Sequence, residues 1–316
     1  ESLDSLKCKS VKICFFGPEV IPIRLPNSVT SFDLVIGNME YLSNATTLIL
    51  TIAGGIPTLV QLRALYITHH SVTNLKYAID SLEKIIKKLP PQLEIFSIKL
   101  LEGLGFYKEI VLPHEFFQGI ENLLKLSTLE MEIPAALVID PCNKNHKHQV
   151  SILKIRNTLN LLNSISLNLI QSLAVKIDIY QPNSDISKLV SMIQPLLSSI
   201  DDAKPSLYKE LFKIVNQMSS LVEFKFETNG GIEFQELPEL LSLLKFPSTT
   251  RIVILDFKIL TNMVPSLSWV QWLGVSHMKE VQILLGHWGF VKLPNNTFKQ
   301  KYTYTIQDEW NNYIDL

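Results

Sequence analysis

Two histidine pairs, His69-His70 and His146-x-His148, have a residue type and spacing that could do chemistry. Imidazole binds zinc, but a zinc site needs three or four ligands converging tetrahedrally. Neither pair has a Cys, Asp or Glu partner at ligand spacing; Asp140 and Cys142 come nearest to the second pair. No metal is expected. Cys142 could act as a nucleophile only beside a positioned base, and the sequence identifies none. There is no G-x-S-x-G elbow. Gly54-Gly55 and Gly230-Gly231 could wrap a phosphate, yet neither is followed by G-K-[ST], so both are read as turns. Glu130 and Glu132 sit at i, i+2, which on a strand places both carboxylates on one face. Acid–base work by such a pair requires one carboxyl perturbed by burial or by a partner, and a solvated polar surface explains the spacing without it. Lys84, Lys87 and Lys88, with Lys144 and Lys147, form basic segments without interleaved aromatics, the pattern of solvation rather than of a nucleic-acid groove. No cofactor is expected, and the chain is read as a non-enzyme.

The composition agrees. Among 316 residues, Lys+Arg is 29 and Asp+Glu is 30, a formal net charge of -1. Only four of the cations are Arg, the residue best suited to bidentate phosphate recognition. Nucleic acid and anionic membrane surfaces are therefore poor partners for it. The hydrophobic fraction of 47% excludes global disorder. The chain carries 49 Leu against 12 Gly, which suits stacked repeats better than Gly-rich nucleotide folds. An odd count of three cysteines, Cys8, Cys14 and Cys142, argues for a reducing compartment, cytoplasm or nucleus. No apolar run reaches the 18 residues of a membrane span. The polar start Glu1–Ser10 has no apolar signal-peptide core.

The elements that must position any site follow from a short recurring pattern, apolar-x-x-apolar-x-apolar. It occurs as Leu62, Leu65, Ile67; Leu93, Phe96, Ile98; Leu126, Leu129, Met131; Leu221, Phe224, Phe226; and Met278, Val281, Ile283. A weaker copy puts Ile252 and Ile254 in the last two roles. The alternation at its end is the period of a half-buried strand. Middle positions recur 31 residues apart from Leu65 to Phe96 and 33 from Phe96 to Leu129. They recur 28 apart from Phe224 to Ile252 and 29 from Ile252 to Val281. The 95 residues between Leu129 and Phe224 leave room for about three further units, with Val175–Ile179 one clear strand. Helical periodicity fills the intervals over Asn74–Leu89, Pro113–Leu126, Val150–Leu162, Ile186–Ile200, Ser206–Met218, Leu237–Leu244 and Pro265–Val275. A strand and a helix per unit cannot bury a core alone, whereas stacked neighbours can. The expected organisation is atypical N-terminal repeats or a cap over residues 1–60, with strands at Val11–Phe16, Leu34–Ile36 and Leu48–Ile52. An irregular solenoid over 61–298 and a C-terminal capping segment over 299–316 complete it.

These units resemble a leucine-rich-repeat solenoid of the long, intracellular, strand-plus-helix type, and their irregularity is similar to that of the repeat region of fungal F-box proteins. The resemblance implies an α/β solenoid with parallel strands on a concave face and helices outside. It also implies a protein partner on that face, substrate recognition in an F-box-type ubiquitin ligase, and a Skp1-like adaptor bound through a segment upstream of Glu1. The side chains between the apolar anchors become the partner-binding set: Arg63, Tyr66, Thr68, Lys99, Glu130, Glu132, Asp178, Lys225, Glu227 and Gln282. Both charge signs occur, which suits a specific protein ligand better than a polyanion. A structural subunit of a larger intracellular assembly, of kinetochore or replication type, is the alternative scaffold role; an enzyme of unrecognised class is the third reading.

Overall fold

The computed structural model describes residues 8–15, 25–37, 61–72, 85–102, 110–112, 120, 123–132, 137–139, 149–156, 159, 162, 165–178, 207–229, 234–258, 265–269, 277–286, 288–295 and 297–302. The chain divides into two units, Glu1–Ile170 with Ser191–Leu196, and Gln171–Val190 with Leu197–Leu316. It is an α/β protein dominated by mostly parallel sheet, with few helices among the described residues.

In the first unit, strands β1 (Ser10–Phe15), β2 (Ser31–Ile36), β3 (Ala64–Val72) and β4 (Ile95–Glu102) lie side by side in chain order. β5 (Ile110–Leu112) and β7 (Leu137–Ile139) form a separate parallel pair. β6 (Thr128–Glu132) and β8 (Ile152–Arg156) extend the main sheet after β4. Every pairing in that sheet is parallel. In the second unit, β9 (Ser172–Asp178), β10 (Glu223–Asn229), β11 (Ile252–Phe257) and β12 (Glu280–Leu285) are also parallel. β13 (Trp288–Lys292) and β14 (Phe298–Tyr302) then return antiparallel. Gly286, with φ 61°, opens the tight turn from β12 into β13, where a left-handed backbone costs glycine nothing.

One backbone device repeats at the start of these strands. The carbonyl just before a strand accepts two amides from the same place in the next repeat. Lys9 O takes the N–H groups of Thr30 and Ser31, Thr30 O those of Arg63 and Ala64, and Arg63 O those of Glu94 and Ile95. Glu94 O and Ser127 O continue the series to Ser127/Thr128 and Ser151/Ile152. In the second unit Gln171 O, Val222 O and Arg251 O do the same for Val222/Glu223, Arg251/Ile252 and Lys279/Glu280. The rungs stand between 21 and 51 residues apart in sequence, yet each resets the strands to the same register. A turn bond often closes just before the rung, as in Val29 N to Pro26 O, Leu93 N to Pro90 O, Leu126 N to Leu123 O and Leu221 N to Met218 O.

This register sorts the side chains. Phe32, Leu65, Phe96, Leu129 and Leu153 pair across β2, β3, β4, β6 and β8, all at most 1% exposed. Leu34, Ile67, Ile98, Met131 and Ile155 form a second buried row. In the second unit the rows are Leu173, Phe224, Val253, Val281 and Val175, Phe226, Leu255, Ile283. Helix α1 (Leu207–Val215) covers this apolar side: the rings of Tyr208 and Phe212 meet Phe226 edge-on at 6.0 and 5.4 Å. Helix α2 (Leu237–Leu243) buries Leu237, Leu240 and Leu241. It joins α1 through Lys209–Glu239 at 2.6 Å and through the Asn216 side chain, which donates to Leu243 O.

Two expectations are corrected. The interval Val150–Leu162 holds β8, not one helix, because Val150, Leu153 and Ile155 fit the strand frame as well as a 3–4 spacing. Ile252 is not the anchor of its repeat. It pairs with Glu223, and Val253 occupies the buried slot opposite Phe224. The first position of that repeat is Thr250, fully buried, its hydroxyl donating to Leu221 O at 2.9 Å. A threonine in a leucine slot concealed the true frame. Helices α1 and α2 fall inside their expected intervals. Leu48–Ile52 and Ile186–Ile200 lie outside the described residues.

Candidate functional site: the outward strand rows of the two units

The side chains opposite the core form rows across the strands of each unit. In the first unit one row runs Lys12, Asp33, Tyr66, Ser97, Glu130, Lys154. The next runs Cys14, Val35, Thr68, Lys99, Glu132, Arg156. Tyr66, Thr68, Lys99, Glu130 and Glu132 are thus neighbours on one surface. Arg63 precedes β3 as a rung residue and reaches Glu94 at 3.6 Å.

Glu130 is the centre of this surface and is 7% exposed. The Ser97 hydroxyl donates to its Oε2 at 2.6 Å, and Lys99 and Lys154 reach its Oε1 at 3.2 and 3.6 Å. Lys99 also lies 3.6 Å from Glu132. Burial alone would push the Glu130 carboxyl up; Ser97, Lys99 and Lys154 outweigh it and hold the carboxyl below its ordinary range. Burial also opposes the charge on Lys99, but Glu132 and Glu130 raise its ammonium pKa above the ordinary value. Glu130 is therefore locked into ion pairs, not poised to exchange protons, and Glu132 shares Lys99 with it. Tyr66 stands half-buried, its phenol raised by burial and by Glu130 and Asp33.

In the second unit the outward rows are Ala174, Lys225, Ile254, Gln282 and Lys176, Glu227, Asp256, Leu284. Lys225 pairs with Glu223 at 2.9 Å, and Gln282 donates to Glu280 at 2.8 Å. Glu227 takes both Lys176 at 2.8 Å and Lys258 at 2.7 Å on one oxygen. Burial would raise the Glu227 carboxyl, but these two lysines bring it below its usual value. Asp256, directly across the ladder from Glu227, is raised to about 6 by burial and by the Glu227 charge. Asp178 ends β9 in register with Asn229.

Asp256 and Lys258 were missed by sequence reasoning, as was Lys154, whose strand was expected as part of a helix. The apolar run Ile252-Val253-Ile254-Leu255 fits either frame, and the slip by one turned Asp256 inward. Asp256 itself was the available signal, because a carboxylate belongs on the solvated side.

His69 and His70 fall on adjacent strand positions. His69 is 8% exposed in the row of Ile36 and Leu100, its Nδ1 donating to His70 O at 2.9 Å, while His70 is exposed. Among the described residues no group of three or more His, Cys, Asp or Glu converges as a metal site. The segment 140–148, both glycine pairs and Lys84 lie outside the described residues. No helix among the described residues is long and apolar enough to cross a membrane. No family model matches the chain, and no curated protein and no solved structure matches it.

Proposed function

We propose that the chain is a protein-interaction module of the leucine-rich-repeat kind, a solenoid that captures its partner on the outward rows of its parallel strands. One observation carries this reading. Parallel sheets are ordinarily covered on both faces, yet here one face is apolar and the other holds ordered, half-exposed charges and a tyrosine. A surface of that kind is solvated when free and suits a partner of complementary pattern. The interlocked carboxylates favour binding over catalysis. The repeat frame's resemblance to fungal F-box proteins supplies the role, substrate recognition in a ubiquitin ligase beside a Skp1-like adaptor.

Affinity purification of the full-length protein tests the reading. Tyr66→Ala with Thr68→Arg alters the outward rows and leaves Leu65 and Ile67 in place. That pair should lose the partner, whereas Lys213→Ala with Lys245→Ala, beside the helices, should keep it. The opposite pattern would place the working surface on the helical side and overturn the reading. Recovery of a Skp1-like adaptor with both variants is the expected sign of the ligase role.

A further inference from the structure

The outward rows of the first unit are charge-matched: Lys12 lies 3.0 Å from Asp33, and Lys99 and Lys154 hold Glu130 and Glu132. The second unit breaks this rule at Asp256. Lys176 and Lys258 both donate to the same Glu227 oxygen, so the adjoining Asp256 has neither an ion pair nor a hydrogen bond among the described residues. Its outward neighbours on one side are apolar, Ile254 two residues earlier on β11 and Leu284 opposite it on β12, with Gln282 next in the Ile254 row. Ile254 and Leu284 each keep 9% exposure, while the core residues beside them on the same strands, Val253, Leu255 and Ile283, keep none. Lys258 and Lys176 only partly offset what burial and Glu227 impose on Asp256, and a part-buried carboxylate with no direct partner beside two largely buried apolar side chains is costly for a face that meets only water. It is complementary to a cationic side chain with an apolar neighbour.

We propose that β11 and β12 grip a partner protein through one arginine or lysine set against Asp256, with an adjacent apolar residue of that partner lying on Ile254 and Leu284. The proposal rests on the protein-binding reading above and names the chemistry of its partner. A cation at Asp256 would complete the alternation Lys176, Glu227, Asp256, so that each carboxylate on this row has its own positive neighbour. Arginine fits better than lysine, because its planar fork can take both carboxylate oxygens while its stem lies on apolar surface.

Selection from a random heptapeptide library displayed on phage, against the intact chain, tests this directly. Enriched peptides should carry Arg or Lys next to an apolar residue. Their affinity, measured with the synthetic peptides, should fall about tenfold or more with Asp256→Asn and stay within about twofold with Lys213→Ala. Lowering the pH from 7.5 to 5 should weaken the same peptides, since Asp256 gains its proton near 6 while Glu227, held below its usual value, keeps its charge. Peptides that lack a cation, or that bind Asp256→Asn as well as the native chain, overturn the proposal. If such peptides are nonetheless lost with Tyr66→Ala, the protein-binding reading survives. Peptides indifferent to both changes, or no enrichment at all, overturn both.

Discussion

Asp256 is the side chain with most to tell. Burial and the Glu227 charge raise its carboxyl from 3.8 to about 6. A carboxyl that holds its proton more tightly when folded binds more protons in the native state between those values. Stability therefore falls as pH rises from about 4 to 6, and the full cost is present at neutral pH. Two units correspond to about 3 kcal/mol; partial solvation of a sheet surface reduces this to about 1–2 kcal/mol. Asp256→Asn should thus stabilise the chain by about that amount at pH 7.5 and hardly at all at pH 4, as read from urea midpoints. Glu130 differs in every respect, since two lysines and a serine hydroxyl converge on it. Changing it would strand those groups, which makes it a poor probe of binding despite its place in the outward row.

On the scale of the strand, inside and outside are sharply divided. Phe226 on β10 meets the rings of Tyr208, Phe212, Phe224 and Phe257 at centroid distances of 5.4 to 6.4 Å. Phe226→Ala should cost about 3–5 kcal/mol. Lys225→Ala, one residue away on the other face, gives up only a surface pair with Glu223 and should stay within about 0.5 kcal/mol. Equal losses in chemical denaturation would contradict the assigned faces. Five repeats were legible from sequence because a leucine or methionine opens each and alternation closes it. The repeats at Val29 and Val150 escaped notice because a valine opens each, and β8 also lies only 24 residues from β6 at the anchor positions. The antiparallel end of the second unit was hidden for another reason. Trp288–Lys292 carries only a short alternation, and Gly286 marks a turn without saying which strand returns. The outward set followed wherever the frame was right, as at Tyr66, Lys99 and Lys225, and failed at Asp256 where the frame slipped.

Across the whole molecule, acid acts through four groups, three in one direction and Asp256 in the other. Glu130 and Glu227 titrate below the ordinary carboxylate value of 4.5, so their stabilisation is complete above it and vanishes as pH falls through their folded values. Burial lowers His69 below 6.5, so the unfolded chain takes that proton first and stability declines as pH drops beneath 6.5. Asp256 works the other way over much of the same interval. Urea unfolding from pH 3 to 8 should therefore show stability rising less steeply with pH between about 4 and 6 in the native chain than in Asp256→Asn. The same slope in both would mean that the two groups do not oppose each other. The rungs at the strand starts reach further than stability. Their acceptors are carbonyls, and the residues supplying them are Lys9, Thr30, Arg63, Glu94 and Ser127 in one unit and Gln171, Val222 and Arg251 in the other. No side-chain chemistry unites them. Mutation can wander through these positions, and through the lengths between them, while the ladder stands. Two chains of this architecture can drift until their residues agree no more than chance, and kinship between them would survive in the cadence of buried positions alone.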